Sequence, residues 1–177
     1  PSSFENKLQI SGSIISNEEV ELRMETSGKI ISINFKEGAK VNKGDLLVKV
    51  NDADLQAQLQ KVEIRKKLAE DKEYRQRTLL EKKGISQETY DVVLNDLNSA
   101  KADIENLKAQ IAKTEIRAPF NGTVGLRYVS EGSYVSSSTR IATLQNINPA
   151  KIDFSVPQRY ASIISIGNIV SLKSPSG

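Results

Sequence analysis

Gly28-Lys-Ile-Ile-Ser-Ile-Asn-Phe-Lys-Glu-Gly-Ala-Lys-Val-Asn-Lys-Gly-Asp-Leu-Leu-Val-Lys-Val50 and Gly122-Thr-Val-Gly-Leu-Arg-Tyr-Val-Ser-Glu-Gly-Ser-Tyr-Val-Ser-Ser-Ser-Thr-Arg-Ile-Ala-Thr-Leu144 are two copies of one pattern, 94 residues apart. Aligned without gaps, Gly28 falls on Gly122, Glu37 on Glu131, Gly38 on Gly132 and Val41 on Val135. Ile30/Val124, Phe35/Val129, Leu47/Ile141 and Val50/Leu144 keep their apolar character. Alternating apolar residues punctuated by glycine predict short strands joined by tight turns, because glycine accepts positive φ or a close backbone approach. Gly28, Gly38, Gly44, Gly122 and Gly132 are read as those turn positions. Neither copy has enough apolar faces for a core of its own, so the two are expected to pack as one flattened sandwich related by a pseudo-twofold. Two unrelated hairpins sharing turn residues are the alternative. Chance similarity rarely holds register over more than twenty positions, which argues against them.

Between the copies lies a long charged segment. Asp52 and Asp54 suit the start of a helix running to about Lys83, which Gly84 stops. Ser86 caps a second helix with Glu88 in its first turn, continuing to about Lys113. In that helix Tyr90, Val93, Leu97, Ala100, Ile104, Leu107, Ile111 and Thr114 alternate spacings of three and four, the seam of a coiled coil. The first helix keeps the spacing at Leu55, Leu59, Val62 and Ala69. It then places Lys66, Glu73 and Gln76 at seam positions and leaves Leu68, Tyr74 and Leu80 off them. The helices are expected to pair as an antiparallel hairpin.

Composition narrows the function classes. The chain has 177 residues, 25 basic and 22 acidic, with neither Cys nor His, which removes thiol chemistry, disulfides and imidazole ligands. The net charge of +3 comes from Lys and Arg interleaved with Glu and Asp along helices, so no basic stripe with stacking aromatics points to nucleic acid. Asp52/Asp54 and Glu37/Glu131 are the carboxylate pairs an enzyme would need. The first sits at a helix start and the second in symmetric exposed turns, so both have structural purposes and no enzyme is expected. A single methionine, Met24, does not make a copper cluster. No cofactor and no metal are expected. No run of 18 apolar residues is present and the start is not a signal peptide, so any anchor is expected outside this sequence.

The order of a Gly-x-Ile strand, Glu37-Gly-Ala-Lys-Val-Asn-Lys-Gly-Asp-Leu46, Asn51-Asp-Ala-Asp-Leu-Gln-Ala57, a helical hairpin and Thr114-Glu-Ile-Arg-Ala-Pro-Phe-Asn-Gly-Thr-Val-Gly125 resembles the membrane fusion proteins. These are periplasmic adaptor subunits of tripartite efflux pumps and type I secretion systems. The resemblance covers roughly residues 5–173. It implies a mixed α and β, elongated fold: a split lipoyl/biotinyl-like β-sandwich (a barrel-sandwich hybrid) with an inserted antiparallel hairpin, plus part of a β-barrel domain. The implied division is 1–19, an N-terminal barrel strand; 20–50, the first lipoyl half; 51–117, the hairpin; 118–146, the second lipoyl half; and 147–177, barrel again, where Leu8–Ile14, Lys151–Pro157, Gln158–Ser165 and Asn168–Lys173 read as strand, strand, short helix and strand.

The resemblance also implies a partner site. Adaptors of the family carry Arg-x3-Leu-x6-Ser/Thr at the hairpin tip for docking onto a TolC-type outer-membrane channel, and Arg75, Leu79 and Ser86 have that spacing. Read from the residues alone, Arg75 is equally a surface charge, Leu79 a residue closing the seam and Ser86 an N-cap. The implied protein lies in the periplasm, attached to the inner membrane, and links a transporter there, of RND type by preference, to the channel as a hexamer. An adaptor of an ABC-type efflux or type I secretion system shares this plan. A carrier domain of an enzyme complex is less favoured, because the turn that would carry its modified lysine is replaced by the hairpin and Lys49 lies in a strand.

Overall fold

A computed structural model describes residues 9–173, and the parts of the readings above that fall on residues 1–8 and 174–177 lie outside the described residues. The described residues divide into two units, 19–146 and the flanking segments 9–18 with 147–173.

In the larger unit β2 (Glu18–Arg23), β9 (Arg140–Asn146), β7 (Gly122–Val124) and β4 (Lys40–Val41) form one sheet in that order; β6 (Glu115–Arg117), β5 (Leu46–Val50), β3 (Gly28–Ile33) and β8 (Tyr134–Val135) form the other. The copies are therefore interleaved. The short strand β4 of the first copy pairs with β7 of the second, and β8 of the second pairs with β3 of the first. The inward side chains fill one core, with Ile30, Leu47, Val50, Val124, Val135, Ile141 and Leu144 almost wholly buried. Each half thus lacks a strand that the other supplies, which couples their folding.

The 94-residue offset holds down to single hydrogen bonds. Lys29 faces Tyr134 and Lys40 faces Thr123, each the image of the other. The amide of Gly38 donates to the Val124 carbonyl at 2.8 Å, and that of Gly132 to Ile30 at 2.9 Å. Even the turn carboxylates exchange: Glu37 accepts from the Arg127 amide at 2.9 Å, while Glu131 accepts from the Ile33 amide at 3.0 Å. These two bonds explain the shared glutamates as caps on the opposite copy's strand end, not as a catalytic pair.

The repeat also extends further than the glycine pattern indicates. Glu21-Leu22-Arg23 in β2 and Glu115-Ile116-Arg117 in β6 stand 94 residues apart, with Leu22 and Ile116 both buried. In each, the guanidinium pairs with the glutamate two residues before it at 2.7 Å. The other arm of Arg117 donates to the Gly44 carbonyl, and that of Arg23 to the carbonyl of the equivalent Ser138. Residues 115–117, counted with the hairpin in the division 51–117 above, form a sheet strand hydrogen-bonded to β5.

Two further expectations are corrected. Gly38, Gly44 and Gly132 do turn the chain at positive φ of 74°, 92° and 85°, but Gly28 and Gly122 are the first residues of β3 and β7 and not turns. Their need is close approach: a Cβ on Gly122 would stand 2.5 Å from the Gln145 carbonyl oxygen, and one on Gly28 3.1 Å from Val50 Cβ.

In the smaller unit β1 (Gly12–Ile15) and β10 (Lys151–Phe154) pair antiparallel, followed by a 3-10 turn at Gln158–Ile163. Residues 168–173, expected as a strand, pair with no strand among the described residues, and Ile169 and Leu172 are exposed. Strand-forming side chains alone do not make a strand without a neighbour to take the backbone hydrogen bonds.

Gly122→Ala is expected to cost about 1–3 kcal/mol, because the obstacle is backbone that cannot move out of the way. Gly28→Ala should cost less, since it meets a side chain at a longer distance. Urea denaturation midpoints of the two variants check the order.

Candidate functional site at the hairpin tip

Between β5 and β6 stand α1 (Ala53–Glu81) and α2 (Gln87–Ala112), about 44 and 39 Å long at 1.5 Å per residue. The seam of α2 is as the spacing predicts, with Leu97, Ala100, Ile104 and Leu107 buried and Tyr90, Val93 and Ile111 half-buried. On α1 the three-four spacing continues through the polar positions to the tip. Leu55, Leu59, Val62, Lys66, Ala69, Glu73, Gln76 and Leu80 all lie in or partly in the contact, so Leu80, expected off the seam, closes it at the tip. Leu79 is 43% exposed and Leu68 and Tyr74 face outward.

Polar groups occupy the seam toward the tip. Glu73 is 8% exposed and accepts a 2.6 Å hydrogen bond from the Tyr90 hydroxyl of the opposite helix, with the Arg77 Nε 3.9 Å away. That bond is the first reason the Tyr90 phenol is held above its ordinary pKa. Gln76 Oε1 is buried with no hydrogen-bond partner. Arg65 and Asp103 form an ion pair across the helices at 3.8 Å, both more than half exposed and therefore weak.

At the tip the reading of Gly84 as the stopping residue needs correction. α1 ends through Lys83, which adopts φ 57°, and its amide donates to the Leu80 carbonyl at 2.8 Å; the Gly84 amide donates to Leu79 at 2.8 Å. Ser86 is the N-cap of α2, accepting from the Thr89 amide at 3.2 Å. Arg75 and Leu79, one turn apart on α1, both project from the hairpin surface, and Arg75 has no ion-pair partner among the described residues. Leu79 Cδ2 would lie 3.8 Å from a Cβ on Gly84, so its side chain reaches toward the turn. The arrangement offers an apolar knob and a donor fork at one end of a rigid helix pair, a geometry for protein contact and not for bond chemistry. Among the described residues, no group of three or more His, Cys, Asp or Glu is placed to hold a metal ion, and no helix is long and apolar enough to cross a membrane.

At the base of the hairpin lies a cluster that the spacing of residues did not reveal. Lys49 Nζ in β5 stands 3.0 Å from Asp52 Oδ2, where α1 starts, and 3.5 Å from Glu115 Oε1, on the strand after α2. Asp52, expected as a capping side chain, makes no cap hydrogen bond; its carboxylate is 7% exposed and accepts from Gln56 Nε2 at 2.8 Å, while Asn51 Oδ1 accepts from the Ala53 amide. The hydrogen bond to Asp52 holds the Lys49 ammonium above its ordinary pKa. Burial by itself would raise Asp52, but hydrogen bonds from Gln56 and Lys49 outweigh it and hold the carboxyl below its ordinary value.

Comparison with known proteins bears on the whole of this unit. Residues 18–146 match the family described as "RND MFP, barrel-sandwich hybrid domain". The chain is 30% identical over 139 residues to the solvent efflux pump periplasmic linker SrpA of Pseudomonas putida, covering 77% of this chain and 36% of that protein. It is 33% identical over 165 residues to the multidrug resistance protein MdtA of Yersinia enterocolitica, covering 83% and 37%. A solved MacA–MexA chimera containing the Pseudomonas aeruginosa MexA α-hairpin domain superposes with a TM-score of 0.72 at 28% identity, over 77% of this chain and 50% of that one. The chain thus spans less than half the length of these curated relatives.

The tip yields two stability expectations. Ser86→Ala should cost roughly 1 kcal/mol through the lost cap, whereas Lys83→Gly should gain up to about 1 kcal/mol by relieving the positive φ, both read from denaturation midpoints. The base yields a pH expectation. Because the folded Asp52 pKa is depressed, its contribution is complete above the ordinary carboxylate value near about 4 and is lost as pH falls through the folded value. Because the folded Lys49 pKa is raised, its contribution is complete below about 10.4 and is lost as pH rises through the folded value. The difference in melting temperature between the parent chain and Asp52→Asn should therefore be flat from about pH 5 to 9 and shrink on the acid side below about 4.

Proposed function

The chain belongs to the RND membrane fusion proteins, and from that membership we propose that it serves as a periplasmic adaptor, attached to the inner membrane, that links an RND-type transporter to a TolC-type outer-membrane channel. It catalyses nothing. Its work is assembly: about six copies set their hairpins side by side as the wall of a conduit, and each tip meets the channel through Arg75, Leu79 and Ser86. The observation that carries this reading is the exposure of Leu79 next to Arg75 while Leu80 closes the seam. A leucine needed only for hairpin stability would be the one in the contact.

An adaptor working with an ABC-type transporter would use the same tip. The RND assignment is favoured because the matching family domain is the RND one. A lipoyl or biotinyl carrier is disfavoured, since Lys49 is engaged with two carboxylates and the site of the carrier turn holds the hairpin.

Leu79→Asp is expected to abolish efflux-dependent resistance while moving the melting temperature by no more than roughly 2 °C, since an exposed substitution away from caps and core changes stability little. A charge buried against a partner, by contrast, is costly. Arg75→Ala should weaken channel binding by roughly 1.5–3 kcal/mol, tenfold or more. The deciding measurement is crosslinking from a Leu79→Cys variant to the outer-membrane channel in cells, where the absence of any native Cys makes the adduct unambiguous. An active pump that gives no adduct would sink the docking role.

A further inference from the structure

The internal symmetry of the sandwich identifies which residues exist for the hairpin's sake. Turns, register, glutamate caps and arginine pairs recur at an offset of 94 residues. Where the hairpin leaves the sandwich the recurrence fails. Lys49 of β5 is matched by Thr143 of β9, a buried neutral residue, and Asp52 is matched by Asn146. Glu115 is matched by Glu21, which keeps its pairing with Arg23 at 2.7 Å and adds Arg140 at 3.4 Å but has no lysine. Each glutamate thus meets a second cation, but among the described residues only the one at the hairpin, Lys49, also pairs with a further carboxylate, that of Asp52 where α1 starts.

Its geometry spans both legs of the hairpin. Asp52 belongs to the start of α1 and Glu115 follows α2, so one ammonium holds the outgoing and returning chain together against β5. Backbone bonds from the Val50 amide to Thr114 at 3.0 Å and from the Asn51 amide to Lys29 at 2.9 Å fix the legs to the sheet beside the β5–β6 ladder, in which Lys49 stands opposite Glu115, and the Lys49–Asp52 pair ties the first turn of α1 to that ladder. Asp52 also forgoes the capping bond that an aspartate at a helix start ordinarily makes, and turns its carboxylate to the lysine instead.

We infer that Lys49 is a positioning residue that pins the direction of the helical hairpin relative to the sandwich, acting through Asp52 and Glu115. A tilt at the base is magnified along helices of 29 and 26 residues, so the pin decides where the tip is presented. This role belongs to the joint itself and stands whether or not the tip meets an outer-membrane channel.

The test uses the chain with Ser137→Cys and Glu88→Cys, two exposed sites in sandwich and hairpin, carrying nitroxide labels whose separation is measured by pulsed electron resonance. The parent should give one narrow distance distribution. Lys49→Met should give one about twice as wide or displaced, while the far-ultraviolet circular dichroism remains helical. Lys49→Arg should restore the narrow distribution, and Thr143→Val, at the symmetry-equivalent position, should leave it narrow. If Lys49→Met does not fold, the double variant Lys49→Met/Asp52→Asn, which leaves no unpaired aspartate, is measured instead with the same expectation. The inference is overturned if the folded variants keep the parent distribution, if Lys49→Arg behaves as Lys49→Met does, or if Thr143→Val widens the distribution equally.

Discussion

Everything in the larger unit depends on one exchange: each half of the sandwich lends a two-residue strand to the sheet of the other. β4 pairs with β7 and β8 with β3, and the carboxylates of Glu37 and Glu131 fasten the strand ends across the same boundary. Neither half can satisfy its backbone or bury Ile30, Val50, Val124 and Leu144 without the other, so the two must close on each other to fold. A closed unit of this kind tolerates a long insertion between its halves, because the ends of the insertion are already brought together by pairing of β5 with β6. The helical hairpin is that insertion.

The hairpin in turn grades from apolar to polar along its length. Near the middle and base, Leu97, Ala100, Ile104 and Leu107 are buried, whereas toward the tip the contact holds Glu73, bonded to Tyr90, and Gln76, whose buried carbonyl oxygen is unpartnered. An unsatisfied buried acceptor costs on the order of 1–3 kcal/mol, so the tip half is zipped less strongly than the base half. Polar seam positions restrict the register in which two helices fit, since Glu73 finds the Tyr90 hydroxyl in only one alignment. Stability is thus concentrated near the sandwich, while the tip combines an exposed leucine with a fixed register.

The membership in a family of efflux-pump adaptors and the geometry agree on the kind of work involved. The described residues bring side chains together as caps, ion pairs and seams, each with a structural partner. Among the residues outward at the tip are Leu79 and Arg75, an apolar side chain with a donor one turn away. Contact chemistry of this type transmits position, and the role inferred for the cluster at Lys49 is to set that position.

The sequence by itself determined the repeat at offset 94, the antiparallel hairpin, the seam of α2 and the positive-φ turns at Gly38, Gly44 and Gly132, because these are properties of local period and of residues whose backbone freedom is unusual. The spacing of Arg75, Leu79 and Ser86 was legible too, but not that Leu79 faces outward: Leu79 and Leu80 are adjacent, and only the pairing of the helices decides which one the seam takes. The extension of the repeat to Glu21-Leu22-Arg23 and Glu115-Ile116-Arg117 was present in the sequence but short, and pairing in space made it visible. Only the tertiary structure showed that the halves exchange strands, that Gly122 is required by the Gln145 carbonyl, and that Lys49 joins Asp52 to Glu115. The physical reason is the same in each case. Periodicity and turn chemistry act between near neighbours in the chain, whereas a backbone close approach or a cation shared by two carboxylates exists only after distant segments have been brought within a few ångströms of one another.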